Sequence, residues 1–356
     1  MKWDAVLTCF PTDLAVSPTP RLMNPSRAAV WRLILATMAW GLSFPTAKAI
    51  MLAQAMAVPG RSGVFHAGLV LWVRMILASL LMGLIFWRNV RGLRGSEIRQ
   101  GVELGLYGGV GMLLQTDAQH VIPASTSAFF TQFTCIFVPL VVAIRSRMFP
   151  SVWVVAASAM VLAGCAVLSG VRLGSLGFGP GEWETIAAAG LFTGQILVIE
   201  RQTYRGNEMR GTAFVMFAMK ALVLTPVVFG DAITVAVSGG GGLGALCHQI
   251  IDAYTSLPTL VMTLLITVFS TVYGYATMIF WQPMVSSVQA GIIYATEPIF
   301  ATGWALFLPG LFSAAGGFDY PNESVSAAFC WGAALIVGAN LLLFRPQSTP
   351  AEAGAA

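Results

Sequence analysis

Charge is what this 356-residue sequence has least of. Asp, Glu, Lys and Arg make up 10% of it while 57% of its residues are hydrophobic; a soluble domain carries roughly 25% charged residues. That deficit excludes an ordinary water-soluble domain and points to a chain dissolved in a lipid bilayer. The five cysteines (Cys9, Cys135, Cys165, Cys247 and Cys330) follow no disulfide or metal-ligand spacing, and the three histidines (His66, His120 and His248) are scattered. No metal, cofactor or catalytic group is therefore expected. The glycine run in Ser238–Pro258 lacks the Gly-Lys-Ser/Thr that completes a phosphate loop, so this stretch reads as a flexible loop. The net charge of +4 is no nucleic-acid signal; its meaning lies in where the basic residues fall. Residues 1–27 hold no apolar run long enough for a signal peptide and read as a disordered tail. Met23, which opens directly into the first apolar span, is expected as the true start.

What the chain does have is apolar spans of membrane-crossing length. Ten are expected: Ala28–Ile50, Phe65–Trp87, Gly101–Val121, Ala124–Ile144, Ser151–Gly170, Trp183–Tyr204, Thr212–Val237, Pro258–Trp281, Met284–Leu308 and Val325–Phe344. A faint repeat divides them. The Gly-rich third span ends at Gln119 and turns into Ser127-Ala128 and Pro139; the eighth carries Gly274, ends at Gln282 and turns into Gln289-Ala290 and Pro298. Because five is odd, the second set is inverted relative to the first. The expected fold is an all-α polytopic membrane protein with ten transmembrane helices in two inverted five-helix repeats, residues 28–170 and 182–345, followed by a disordered tail at 346–356. Thirteen arginines, among them Arg88, Arg94, Arg145, Arg201 and Arg345, fall on one side of these spans and only Arg61 and Arg172 on the other. By the positive-inside rule both termini are cytoplasmic, in a multi-pass integral membrane protein that in a prokaryote would sit in the plasma or inner membrane.

The candidate site follows from groups that are costly in lipid. Glu297 sits mid-span and is followed at once by Pro298. A carboxylate at the bilayer centre costs at least ~2.5–3.5 kcal/mol, and proline removes a backbone donor. Such a helix must face protein or a water-filled cavity; the alternative is a structural kink around a buried, protonated acid. Arg74 lies ~13 Å into its span at 1.5 Å per residue, with Glu297 as one candidate partner. Lys48 and Asp117 lie nearer the outer ends, where snorkelling is the competing reading. Lys220 is intermediate, either snorkelling or paired with a carboxylate. Hydroxyls recur at helical spacing at Thr263, Thr267, Ser270 and Thr277, and at Ser127, Thr131 and Thr134. They suit either a hydrated cavity or close helix packing. Trp40, Phe44 and Lys48 share a face, and Tyr294 lies one turn before Glu297. The glycines of Gly105–Gly111 read as helix packing.

Several of these stretches resemble the EamA branch of the drug/metabolite transporter superfamily. WGLSFPTAK (Trp40–Lys48) is similar to that family's first helix and WVRMILASLL (Trp72–Leu81) to its arginine-bearing second. Leu113–Val141 resembles the hairpin of its third and fourth helices, and ATEPIFA (Ala295–Ala301) the Glu-Pro centre of its ninth. The family often closes helices four and nine with Gly-Glu or Arg-Glu; here those places read Arg145-Ser146-Arg147 and Pro309-Gly310-Leu311, and Phe312–Glu323 forms an insertion. The resemblance implies two inverted repeats, a central cavity and alternating-access movement of small metabolites.

The expected function is thus a secondary transporter, not an enzyme, that exports a small amino acid-like or amphipathic solute. Its partners are that solute and the lipid bilayer, with no nucleic acid, and a homodimer is left open. The expected substrate pathway comprises Trp40, Phe44, Lys48, Arg74, Asp117, Thr131, Thr134, Ser270, Tyr294 and Glu297. The alternative is an integral membrane enzyme acting on a lipid-linked substrate, for which Asp117 and His120 form the nearest thing to a catalytic pair.

Overall fold

The structure, a computed structural model, describes residues 27–119, 121–122, 124–169, 178–237 and 242–343. Both expected tails, Met23, His120, Arg172 and the glycines at 239–241 lie outside the described residues. Among the described residues every regular element is a helix. We number the main ones in chain order: α1 (Arg27–Ala57), α2 (Gly63–Ile85), α3 (Trp87–Arg91), α4 (Gly95–Ala118), α5 (Ala124–Thr131 continued by Thr134–Ser146) and α6 (Val152–Ser169). Then follow α7 (Pro180–Ile199), α8 (Met209–Val237), α9 (Gly242–Asp252), α10 (Leu257–Met284), α11 (Ser287–Ala305), α12 (Leu308–Gly316) and α13 (Ala327–Leu343).

Among the described residues, five helices are long and apolar enough to cross a bilayer: α1, α2, α5, α8 and α10. A sixth arises if α11 and α12, bent by 51°, are taken as one span. The expected count of ten exceeds these. The α6 and α13 helices are apolar but shorter, and α4 and α7 open with acidic residues, Glu97 and Glu182, that cap their first turns. Two expectations are corrected. Met284–Leu308 is not one continuous span, because Pro298 lacks the backbone N–H that would carry α-helical pairing through and the chain breaks before it. The stretch Ser238–Pro258 is not all flexible loop, since residues after its glycine run form the amphipathic α9.

Local chemistry sets the helix starts. Ser62, Ser256 and Ser286 each accept a backbone N–H three residues on, from Phe65, Thr259 and Gln289, all at 3.2 Å, the N-cap arrangement that satisfies an otherwise unpaired donor. Small residues then let the helices approach. The α4 helix lies between α7 and α8, with α2 on α8's other side, while α6 pairs with α13. A Cβ at Gly105 would lie 2.5 Å from Met219 Cβ, and one at Gly332 would lie 2.6 Å from the Gly164 carbonyl oxygen. Neither contact is feasible for a larger residue, so the packing reading of the α4 glycines holds at Gly105. The α1 helix meets α10 and α11, with Thr37 and Thr296 sharing a hydrogen bond of 2.8 Å.

Candidate functional site

Four helices are irregular at one level of the bundle. The α1 helix is interrupted at Leu42, between Arg27–Gly41 and Ser43–Ala57. In α5 the break falls at Gln132-Phe133, and in α11 at Ala295-Thr296, so that Glu297 begins the second half. The α10 helix widens to a π-helix over Ile266–Tyr273, a geometry found mostly as short inserts at functional sites. Residues beside all four irregularities line a cavity of about 90 Å³.

Seven of the ten expected pathway residues meet there: Trp40, Phe44, Arg74, Thr131, Thr134, Tyr294 and Glu297. Arg74 is 3% exposed. Its Nε donates to Thr271 Oγ1 and its Nη2 to Ser270 Oγ at 2.8 Å. Ser270 therefore holds Arg74 instead of lining the cavity itself. Glu297 is half-buried in the same cavity, and among the described residues it makes no hydrogen bond and no ion pair within 4.0 Å. Glu297, the candidate partner of Arg74, thus shares its cavity and acts on it electrostatically without a contact within 4.0 Å. Trp40 packs on Tyr275 and Tyr294, with ring centroids 5.4 and 5.1 Å away. The Tyr294 hydroxyl donates to Gln282 Oε1 at 2.9 Å, and Gln282 donates to the Ile196 carbonyl at 2.8 Å.

Lys48 and Asp117 lie elsewhere. Lys48 is exposed and lines a second pocket of about 340 Å³ with Arg61, His66 and Gln119. Its ammonium stands 5.3 Å from the Tyr320 ring centroid. Asp117 is half-buried and lines neither space. Thr263 and Thr267 bond back to carbonyls of their own helix at 2.8 and 2.7 Å, so that part of the α10 stripe serves packing.

The cavity also contains groups not singled out from the sequence. Gln115, Gln132, Gln195 and Tyr275 line it, and the Gln115 amide donates to Thr131 Oγ1 at 2.8 Å. An amide or phenol inside an apolar span needs a partner that lipid cannot supply, which is the signal that marks them. Among the described residues, Lys220 neither snorkels nor pairs with an acid. It is fully buried, its Nζ 3.5 Å from the Tyr275 ring centroid and 3.7 Å from Met112 Sδ.

No protein-family model matches the chain, and no curated protein matches it. A solved structure described only as "Crystal structure of protein" superposes with a TM-score of 0.58 at 17% identity, covering 89% of this chain and 96% of that one. At that identity the likeness shows the fold alone. Fold and site together define an all-helical protein with several membrane-length helices around a buried cavity that holds a cation and an acid.

Proposed function

We propose that the protein is a secondary transporter of the EamA type, exporting a small amphipathic metabolite by alternating access. The observation that carries this reading is the cavity where four irregular helices meet, with Arg74 and Glu297 in its wall. Interrupted helices place backbone and side-chain polar groups around a solute near the bilayer midplane in transporters built from inverted repeats. An arginine and a glutamate within apolar spans are costly and mark a functional site by default. Two inverted repeats, residues 28–170 and 182–345, are supported by α5 and α11, each interrupted shortly before a proline, Pro139 and Pro298. The arginine-rich ends support a cytoplasmic placement of both termini. At about 90 Å³ the cavity is below the roughly 300–1,000 Å³ of open ligand pockets, which fits a contracted member of the transport cycle.

Glu297, the acid at the cavity, is assigned to proton coupling. Uptake and counterflow in proteoliposomes, with pooled amino acids and metabolites and with Glu297→Gln alongside, tests both points. Flux of a solute by the wild type, with its pH-driven component lost in the variant, is the expected result. No flux of any pool, with or without a pH gradient, would overturn the transporter reading; flux equally pH-driven in Glu297→Gln would overturn the coupling.

A further inference from the structure

A groove of about 330 Å³ lies on the surface of the bundle, between the second half of α5 and the first three turns of α6. Ile136, Pro139 and Leu140 form one wall and Val155 and Leu162 the other, with Pro150 at its end in the connection between the helices. Leu140 and Val155 are 50% and 55% exposed, so the groove opens outward. Its chemistry follows from one proline. Pro139 has no N–H to give the Cys135 carbonyl one turn earlier. The Ser158 hydroxyl of α6 donates to that oxygen instead, at 2.7 Å. This bond ties the two helices together and engages the one polar side chain in the groove wall. What remains is hydrocarbon. A wall without a free side-chain donor or acceptor favours an alkyl chain over a polar solute.

The end of this groove carries a charge. Arg147 follows Leu140 and Ala143 at helical spacing and precedes Pro150 by three residues, which places it in line with the groove, between two of its wall residues. It is exposed, and its side chain makes no hydrogen bond, ion pair or ring contact among the described residues. Residues 118–181 contain no Asp or Glu, so neither helix supplies an acid. Arg147 also ends α5 in the left-handed conformation, with φ 55°, and is the one non-glycine residue with positive φ among the described residues. Glycine serves that cap with least strain. An arginine there sets a guanidinium beside the groove at a cost to the backbone.

We infer that the α5–α6 groove binds an anionic phospholipid, with one acyl chain in the groove and the headgroup phosphate on Arg147. Basic residues at the ends of membrane helices attract anionic headgroups, and a guanidinium bonds phosphate with charge assistance. A second copy of the chain fits less well. A two-fold contact centred here would set the Arg147 residues of both copies together, with no acid from either hairpin to answer them. The inference requires the chain to lie in a bilayer and does not depend on its being a transporter.

The test uses the purified full chain in detergent and phosphatidylglycerol with a photoreactive diazirine on one acyl chain. On illumination, adducts are expected to concentrate in residues 136–162. Unlabelled phosphatidylglycerol should compete at least about fivefold more effectively than phosphatidylcholine with the same chains, roughly what one basic residue near a headgroup contributes. Arg147→Gln should remove that preference. Ala159→Trp, which fills an exposed position in the groove, should lower labelling of residues 136–162 at least about fivefold, in keeping with loss of the chain's seat, and leave labelling elsewhere unchanged. The wild-type chain decides the matter even where a variant fails to fold: adducts spread evenly over α2, α8 and α10 as well, or equal competition by the two lipids, overturn the inference. A preference undiminished in Arg147→Gln also overturns it. So does a dimer, seen by native mass spectrometry, that Ala159→Trp dissociates, because the groove would then belong to a second copy.

Discussion

The arginine-rich end of the bundle and the central cavity both contain acids and bases, and they treat them oppositely. At that end, Glu97 accepts from the Arg94 backbone at 2.9 Å, from Arg94 Nε at 2.6 Å and from the Glu208 backbone at 3.0 Å. Glu103 bridges Arg201 and the Tyr204 hydroxyl, and Asn207 joins Ser96 and Gln100. In the cavity and just behind its wall, the hydrogen bonds of Arg74 and Lys220 go to neutral partners, and Glu297 acts on Arg74 only at a distance beyond 4.0 Å. Charges in direct contact hold elements together; charges kept out of direct contact in a buried space are, on the proposed transporter reading, available to a solute. On that reading, mutations in the two regions should separate, those at the arginine-rich end changing stability and those at the cavity changing flux.

The largest effect is expected at Glu297. Its replacement by Gln should lower pH-driven flux in proteoliposomes at least about tenfold, in the range that positioned proton-transfer groups contribute, with little change in melting temperature. A change in Tm with full retention of pH-driven flux would erase the contrast. Next is Gly105→Val, whose side chain would enter Met219 and the Met216 carbonyl, 2.5 and 2.9 Å from an added Cβ. Overpacking of this kind costs about 1–3 kcal/mol, to be read as a lowered unfolding midpoint.

Glu97→Ala follows at about 0.5–2 kcal/mol, the usual loss for a helix cap. Glu97 also gives the contrast a pH signature. Burial alone would raise its pKa, but the hydrogen bonds from the backbones of Arg94 and Glu208 and the Arg94 guanidinium hold the carboxyl below its ordinary range. A carboxyl whose folded pKa is depressed stabilises the fold above its unfolded value near 4.5 and loses that contribution as pH falls through the folded value. The Tm difference between wild type and Glu97→Ala should accordingly shrink on acidification below that range and stay constant above it. The smallest effect is expected at Asp117, which lines neither space; Asp117→Asn should leave flux within about twofold, as for surface changes away from structural features.

Much of the cavity was readable because lipid makes polar residues conspicuous. Arg74 and Glu297 stand out as charges deep in apolar runs, and Trp40 with Phe44, or Thr131 with Thr134, share faces at helical spacing. Four features were not readable. A helical period presumes an unbroken α-helix, whereas α10 passes through a π-helix, so Thr271, outside the expected stripe, joins Ser270 on Arg74. Depth along a span also fails to give direction: Lys48 continues the face of Trp40 and Phe44 but, one turn beyond Phe44 in the same half-helix, it faces the second pocket. For α9 the glycine run hid the amphipathic pattern that follows it. The environment of Lys220 depends on Gly108 and Gln195 in two other helices, a three-body fact with no signature in any single span.

Alternating access itself is most directly tested at Thr134, whose side chain lines the cavity beside the interruption in α5. In a background with the native cysteines removed, the Thr134→Cys variant would be treated with a membrane-impermeant thiol reagent from each side of sealed vesicles. The account predicts modification from either side, in separate populations, and protection by a transported solute. Modification from neither side, or from one side only and indifferent to every solute, would contradict it.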